Sequence, residues 1–239
     1  MSEWKARRFW KAVETVPVDG GWEVRLDDRP VRTPAKAALV LPTRSLAAAV
    51  GEEWDAVGEA IDPGAMPVTR AANSAIDKAA PQRAALIDEL AGFGETDLLA
   101  YRAAHPEGLV ARQAAEWDPL LDWADARFGA RLAPVTGVMY APQDPVAIAA
   151  LRAPLEASDA FALTALSDLV SLSGSLVIGL RAAELEGDPE ALWRASRLDE
   201  LWQAELWGAD EEAEAAAALK GRAFADAARF HALSRGEGR

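Results

Sequence analysis

Apolar and polar positions change their period once along this chain. Up to residue 42 they alternate, the two-residue period of strands. Phe9, Lys11, Val13 and Thr15 alternate with Trp10, Ala12 and Glu14, and Asp19-Gly20-Gly21 supplies a hairpin turn. Trp22, Val24 and Leu26 form the next run, closed by a second tight turn at Asp27-Asp28. In RPVRTP, Pro30 and Pro34 restrict the chain to a short edge strand. Leu39-Val40-Leu41 is the last extended segment.

From Thr43 the period becomes helical. Thr43 caps a helix running through Leu46, Val50, Glu53, Trp54 and Val57, which Gly58 and Ile61-Asp62-Pro63 end. A second helix is expected over about 68–80, and a third from Pro81 that Gly92 and Gly94 interrupt. Beyond about residue 105 no strand of comparable strength follows. Ala114, Trp117, Leu121, Ala124 and Phe128 make one apolar stripe, and residues 129–145 read as a connection. Helices are expected over about 146–157, 159–172 and 174–186, then a long one over 189–207 and a last one from Asp210 to about Ser234. The fold class is α+β: a small mixed strand/helix domain over 1–104, then an all-α helical domain over 105–239.

Composition narrows the function. The 239 residues are 51% hydrophobic and 26% charged, a globular balance. A net charge of -13 disfavours nucleic acid and anionic membrane surfaces, since those partners are met by basic residues. No apolar run is long enough to span a membrane, and no signal-peptide core stands at the start. The lack of cysteine removes disulfides and thiol chemistry, so a reducing, cytoplasmic setting is expected.

Catalytic patterns are missing. Neither GxxxxGK[ST] nor GxGxxG occurs; Gly92-Phe93-Gly94 reads as a helix break and Ser173-Gly174-Ser175 as a helix junction. His105 and His231 have no spaced partners for a metal or a triad. Asp118, Asp122 and Asp125 line one helix face and could in principle hold a hard cation; a solvated polar face is the favoured reading. No cofactor, no metal and no catalytic residue are expected.

Several blocks in order resemble one family, the assembly chaperones of the ATP synthase alpha subunit in mitochondria and alphaproteobacteria. They are FWKAVETVPVDGGWEVRLDDRPVRTPAK (9–36), LVLPTRSLAAAVGEEWDAVGEAIDPGAMPVTRAANSAID (39–77), GETDLLAYR (94–102), ARQAAEWDPLLDWA (111–124) and SRLDELWQAELWG (196–208). Asp28 departs from the pattern, where glycine is expected, and the absence of a presequence fits the bacterial branch. The resemblance implies ATP-independent holding of an unassembled alpha subunit until a beta subunit replaces it. A subunit awaiting an obligate interface exposes apolar surface that drives aggregation, and covering it requires no catalytic residue. The competing readings are a carboxylate-based enzyme and a self-associating structural protein; a monomer is expected over a stable oligomer.

On the helix expected over 189–207, Ala191, Ala195, Leu198, Trp202 and Leu206 form the core stripe. Trp193, Ser196, Glu200, Gln203 and Trp207 lie roughly opposite. A carboxylate flanked by tryptophans suits an interface anchor, and the resemblance implies that an acidic residue at Glu200 is functionally essential. The partner-binding candidates are therefore Glu200, Trp193, Gln203 and Trp207, against the alternative that Glu200 is paired inside the bundle. Trp54 is assigned to structure, on the stripe with Leu46, Val50 and Val57. Arg32 and Arg70 belong to the resembling blocks, and the sequence leaves open whether they bind or brace.

Overall fold

The computed structural model describes residues 7–184 and 187–236. They divide into two compact units: residues 7–83 with 159–165 and 229–236 form unit 1, and 84–158 with 166–228 form unit 2. The division expected at residue 104 follows element type, whereas the packing units are discontinuous in sequence.

In unit 1, β1 (Val13–Val18) and β2 (Gly21–Leu26) pair along their full length, from Val13↔Leu26 to Val18↔Gly21. β3 (Arg29–Pro30) and β4 (Val40–Leu41) share the other edge of β2, at opposite ends. Gly21 is required here: a Cβ would clash with the Leu41 carbonyl oxygen. β1 starts at Val13 and not at Phe9, because the Lys11 and Ala12 amides donate to Asp27 Oδ1 instead of to a strand. Those same bonds hold the Asp27 carboxyl below its ordinary value. Asp27, not Asp28, takes the left-handed conformation, with φ 55°, so glycine is not needed at Asp28.

Thr43 caps α1 (Arg44–Asp55) by accepting from the Leu46 amide, as its position predicts. α1 buries Leu46, Ala47 and Val50 against Val24, Leu26 and Leu41, with Phe230 and Leu233 in the same core. Each fully buried leucine or valine among them contributes about 1.5–3 kcal/mol. Glu53 accepts from the Val68 and Thr69 amides, both at 2.7 Å, and so caps α2 (Pro67–Ser74). The second expected helix therefore holds, but it ends in a π-turn over Ala75–Ala79. There Asp77 accepts from Thr33 Oγ1 and the Ala35 amide and braces the RPVRTP turn.

Unit 2 is helical, apart from β5 (Tyr101–Arg102) pairing in parallel with β6 (Val135–Thr136). α3 (Arg83–Glu95) runs straight through Gly92 and Gly94, against the expected interruption. Gly94 is there for packing, since a Cβ would stand 3.1 Å from Ile148 Cδ1. α4 (Glu107–Phe128) buries Gln113, Trp117, Leu121 and Ala124, close to the predicted stripe. α5 (Pro145–Ala157), α6 (Ala160–Ser173) and α7 (Leu176–Ala183) follow; the end of the helix expected over 174–186 lies outside the described residues. The first turns of α6 count with unit 1.

Asp97 is a fully buried carboxylate in this unit. It accepts from Ser175 Oγ at 2.7 Å and from the Leu99 and Val177 amides, joining the start of α7 to the turn before β5. Burial pushes its carboxyl up to about 6, against these hydrogen bonds, which favour the charged form.

The helix expected over 189–207 is two helices, α8 (Pro189–Ser196) and α9 (Leu198–Trp207), broken at Arg197. The break has a tertiary cause. Trp117 Nε1 donates to the Ala195 carbonyl at 2.9 Å, diverting an oxygen that a continuous helix would use, and Ser196 Oγ donates back to the Trp193 carbonyl. α10 (Glu211–Ser234) is the last helix of the described residues, and its end from Arg229 belongs to unit 1.

Candidate functional site

α9 is clamped to α4 along its length. Just before its start Trp117 holds Ala195, at the end of α8. One turn on, Gln113, only 1% exposed, accepts from the Ala103 amide and donates Nε2 to Asp199 Oδ1 at 2.7 Å. Trp202 lies over Gly108, where a Cβ would come within 2.8 Å of its ring. At the far end Arg112 grips both oxygens of Glu205 at 2.8 Å. A short helix on its own is marginal in water, so these ties are what hold α9 in place.

They fix which face looks outward. Asp199 and Trp202 turn toward α4, which leaves Glu200, Gln203 and Trp207 on one exposed stripe. Glu200 has a side chain 68% exposed and accepts from Arg197 Nε at 2.8 Å. Trp207 is 79% exposed and Leu206 57%, so Leu206 leaves the core stripe in which the spacing put it. Ala191 is exposed as well; the inward positions of α8 are Leu192 and Ala195. The break at Arg197 upsets the single-helix geometry that had placed all five together.

Trp193 is not on this stripe. Its ring packs on Phe224 with centroids 5.8 Å apart, over Gly221, where a Cβ would stand 2.7 Å from Nε1. It still reaches the site indirectly, because the Arg197 guanidinium that donates to Glu200 lies 5.8 Å over the Trp193 ring. Residues 205–216 form an uninterrupted exposed run that sequence spacing did not single out.

A second exposed apolar run also went unseen within the connection over 129–145. Val138 is 93% exposed, Met139 80% and Tyr140 62%. The flanking chain is fixed: Gln143 both donates to and accepts from the Ala133 backbone, and the Gly137 amide donates to the Arg102 carbonyl. The only signal in the sequence is Val138-Met139-Tyr140 itself, an apolar triplet among Gly and Pro residues.

The other candidates are structural in their contacts. Asp118 pairs with Arg102 at 2.8 Å, and Arg131 pairs with Asp125 at 2.9 Å and reaches Asp122 at 4.0 Å, so two arginines answer the three carboxylates. Among the described residues no group of three metal-ligating side chains comes together. Trp54 packs edge-on to Trp10 at 5.3 Å against the unit 1 core, as its stripe predicts. Arg32 donates to the Lys36 carbonyl and braces its own turn, while Arg70 is exposed on α2. His105 is exposed before α4 and His231 is buried in α10.

The comparisons with known proteins agree with this architecture. The ATP12 chaperone protein family matches residues 7–125. The crystal structure of Atp12 from Paracoccus denitrificans is 54% identical, with a TM-score of 0.94, covering 98% of this chain and 100% of that one. A mutant of the same P. denitrificans protein superposes with a TM-score of 0.95 at 53% identity, with the same coverage. The mitochondrial protein atp12 of Schizosaccharomyces pombe is 23% identical over 219 residues, 87% of this chain and 75% of that protein. Family match, near-complete structural overlap and identity above one half together show that the chain belongs to the ATP12 chaperone family.

Proposed function

We propose that this chaperone holds the unassembled alpha subunit of the F-type ATP synthase, without nucleotide, until a beta subunit takes its place. The observation that carries the reading is the outward face of α9: Glu200, Gln203 and Trp207 stand in solvent on a helix fixed rigidly to α4. Trp207 supplies an aromatic anchor, and Glu200 supplies a charge for a basic group on the client. Trp193 supports the face through Arg197 rather than by contact.

The action is stoichiometric covering of apolar surface and uses no reaction step. The chain works as a monomer in the bacterial cytoplasm, where ATP synthase heads are assembled. No helix of the described residues is long and apolar enough to cross a membrane. The test is co-purification with isolated alpha and beta subunits, with and without ATP. Selective, nucleotide-independent retention of alpha at near-equal stoichiometry is expected. Preference for beta, a strict ATP requirement, or equal protection of an unrelated aggregating protein would contradict the proposal.

A further inference from the structure

The charge of this chain is not shared between its units. Among the described residues unit 1 contains 13 basic and 12 acidic residues, a net of +1, while unit 2 contains 10 and 23, a net of -13. Within unit 2 one segment concentrates the imbalance. From Glu205 to Ala216 every residue is exposed, and five acidic residues stand there with no basic one. Arg112 answers Glu205, and Asp210 spends a carboxylate oxygen on the Ala213 amide. Glu211, Glu212 and Glu214 have no ion-pair partner among the described residues.

Acidic residues in the first turn suit the helix dipole of α10, and that accounts for part of the pattern. It does not account for the packing. The first buried residue of α10 is Ala217, so nearly two turns, including Ala213, Ala215 and Ala216, are exposed. Short helical stretches gain most of their stability from packing an apolar face. The same corner exposes Leu206 and Trp207, and Leu219 at 63% lies on the outward side of α10.

We propose that the α9–α10 corner is a docking surface for an apolar patch rimmed by lysine or arginine side chains on the held subunit. This rests on the reading of the Glu200 face as the client-binding face, and it adds the client's charge. Trp207 and Leu206 cover the apolar centre, while Glu211, Glu212 and Glu214 meet the basic rim. Exposed acidic groups of this kind act mainly on association, accelerating encounter with an oppositely charged surface in a salt-dependent way. A second copy of this chain is disfavoured as the occupant, because it would bring the same acidic rim into contact with itself.

The test measures association and dissociation of purified ATP synthase alpha subunit with the whole chain, at low and near-physiological salt. Glutamine keeps side-chain length and helix propensity, so the triple variant Glu211→Gln, Glu212→Gln, Glu214→Gln isolates the charge. Its association rate should fall about 10-fold at low salt and lose most of its salt dependence. Trp207→Ala should instead raise the dissociation rate, by about 30-fold for an anchor residue. If Glu200→Lys abolishes binding while the triple variant keeps the wild-type rate and salt slope, the corner inference fails and the client reading stands. If Glu200→Lys also binds normally, both fail. Wild-type dimers in light scattering that Trp207→Ala dissolves would identify a second copy as the occupant and overturn the proposal.

Discussion

Unit 1 hides its large side chains and unit 2 displays them. Of the eight large hydrophobic residues exposed among the described ones, only Phe9 belongs to unit 1, and its ring lies against Trp10 and beneath Arg29. The other seven, Val138, Met139, Tyr140, Val146, Leu206, Trp207 and Leu219, are all in unit 2, which also holds the whole net negative charge. Smallness does not explain the exposure, because unit 2 is the larger unit and has more interior to offer. Exposed apolar groups set among like charges suit a surface that stays soluble alone and still covers a sticky partner. Unit 1 packs its apolar side chains away, and on the proposed function unit 2 supplies the contact.

Trp54→Arg tests the first half of that contrast. Replacing an indole packed on Trp10 with a guanidinium forfeits aromatic packing and adds a desolvation cost, together about 3 kcal/mol or more. Thermal unfolding should show a clearly lower midpoint. An unchanged midpoint with lost client binding would make unit 1 a contact surface too, and the contrast would break.

Asp97 sharpens the picture of the interior of unit 2. Its folded value near 6 lies above the ordinary 3.8, so the folded chain holds this proton more tightly than the unfolded one. The stability it contributes is fully present below about pH 4 and declines as pH rises through 6, a swing of about 3 kcal/mol. Urea unfolding across that range should show a slope that Asp97→Asn removes. Identical slopes in the two proteins would mean that the Ser175, Leu99 and Val177 donors keep the carboxylate ionised throughout.

A smaller loss is expected from Gln113→Leu, about 1–3 kcal/mol, because the Ala103 amide loses its acceptor and Asp199 loses a donor. As Gln113 also ties α9 to α4, client affinity should drop with stability, whereas the exposed α9 side chains stay in place chemically. If denaturant unfolding shows the loss but alpha-subunit binding is untouched, the clamp does not position the face.

Much of this was visible in the sequence, and the misses share a physical cause. The Thr43 cap, the Asp19-Gly20 hairpin and the α4 stripe depend on residues a few positions apart, so local pattern suffices. The break at Arg197 depends on the bond from Trp117 to Ala195, 78 positions apart, and no local period carries that. The spacing of Glu200, Gln203 and Trp207 put three site candidates on one stripe, and the structure keeps them there. Trp193 had the same spacing but turns to Phe224 and Gly221, partners that only the fold brings near. Leu206 fits the core stripe by spacing, yet the fold leaves it 57% exposed. The helical breaks expected at Gly92 and Gly94 failed for a related reason: the space at Gly94 is set by Ile148 on another helix.

The central claim is that the outward face of α9 binds the client without supporting the fold, and Glu200→Lys tests it most directly. Glu200 is exposed, and its pair with Arg197 is a surface pair worth about 1 kcal/mol or less, so the fold should survive charge reversal. A basic group on the alpha subunit would lose its partner and gain repulsion, costing several kcal/mol of binding, on the order of a hundredfold or more in affinity. The measurement is paired: circular-dichroism melting of the variant, then its ability to keep isolated alpha subunit in solution. The account predicts a melting midpoint close to wild type and lost protection. A collapsed midpoint would make Glu200 a structural carboxylate, and full protection at an unchanged midpoint would remove this face from client binding.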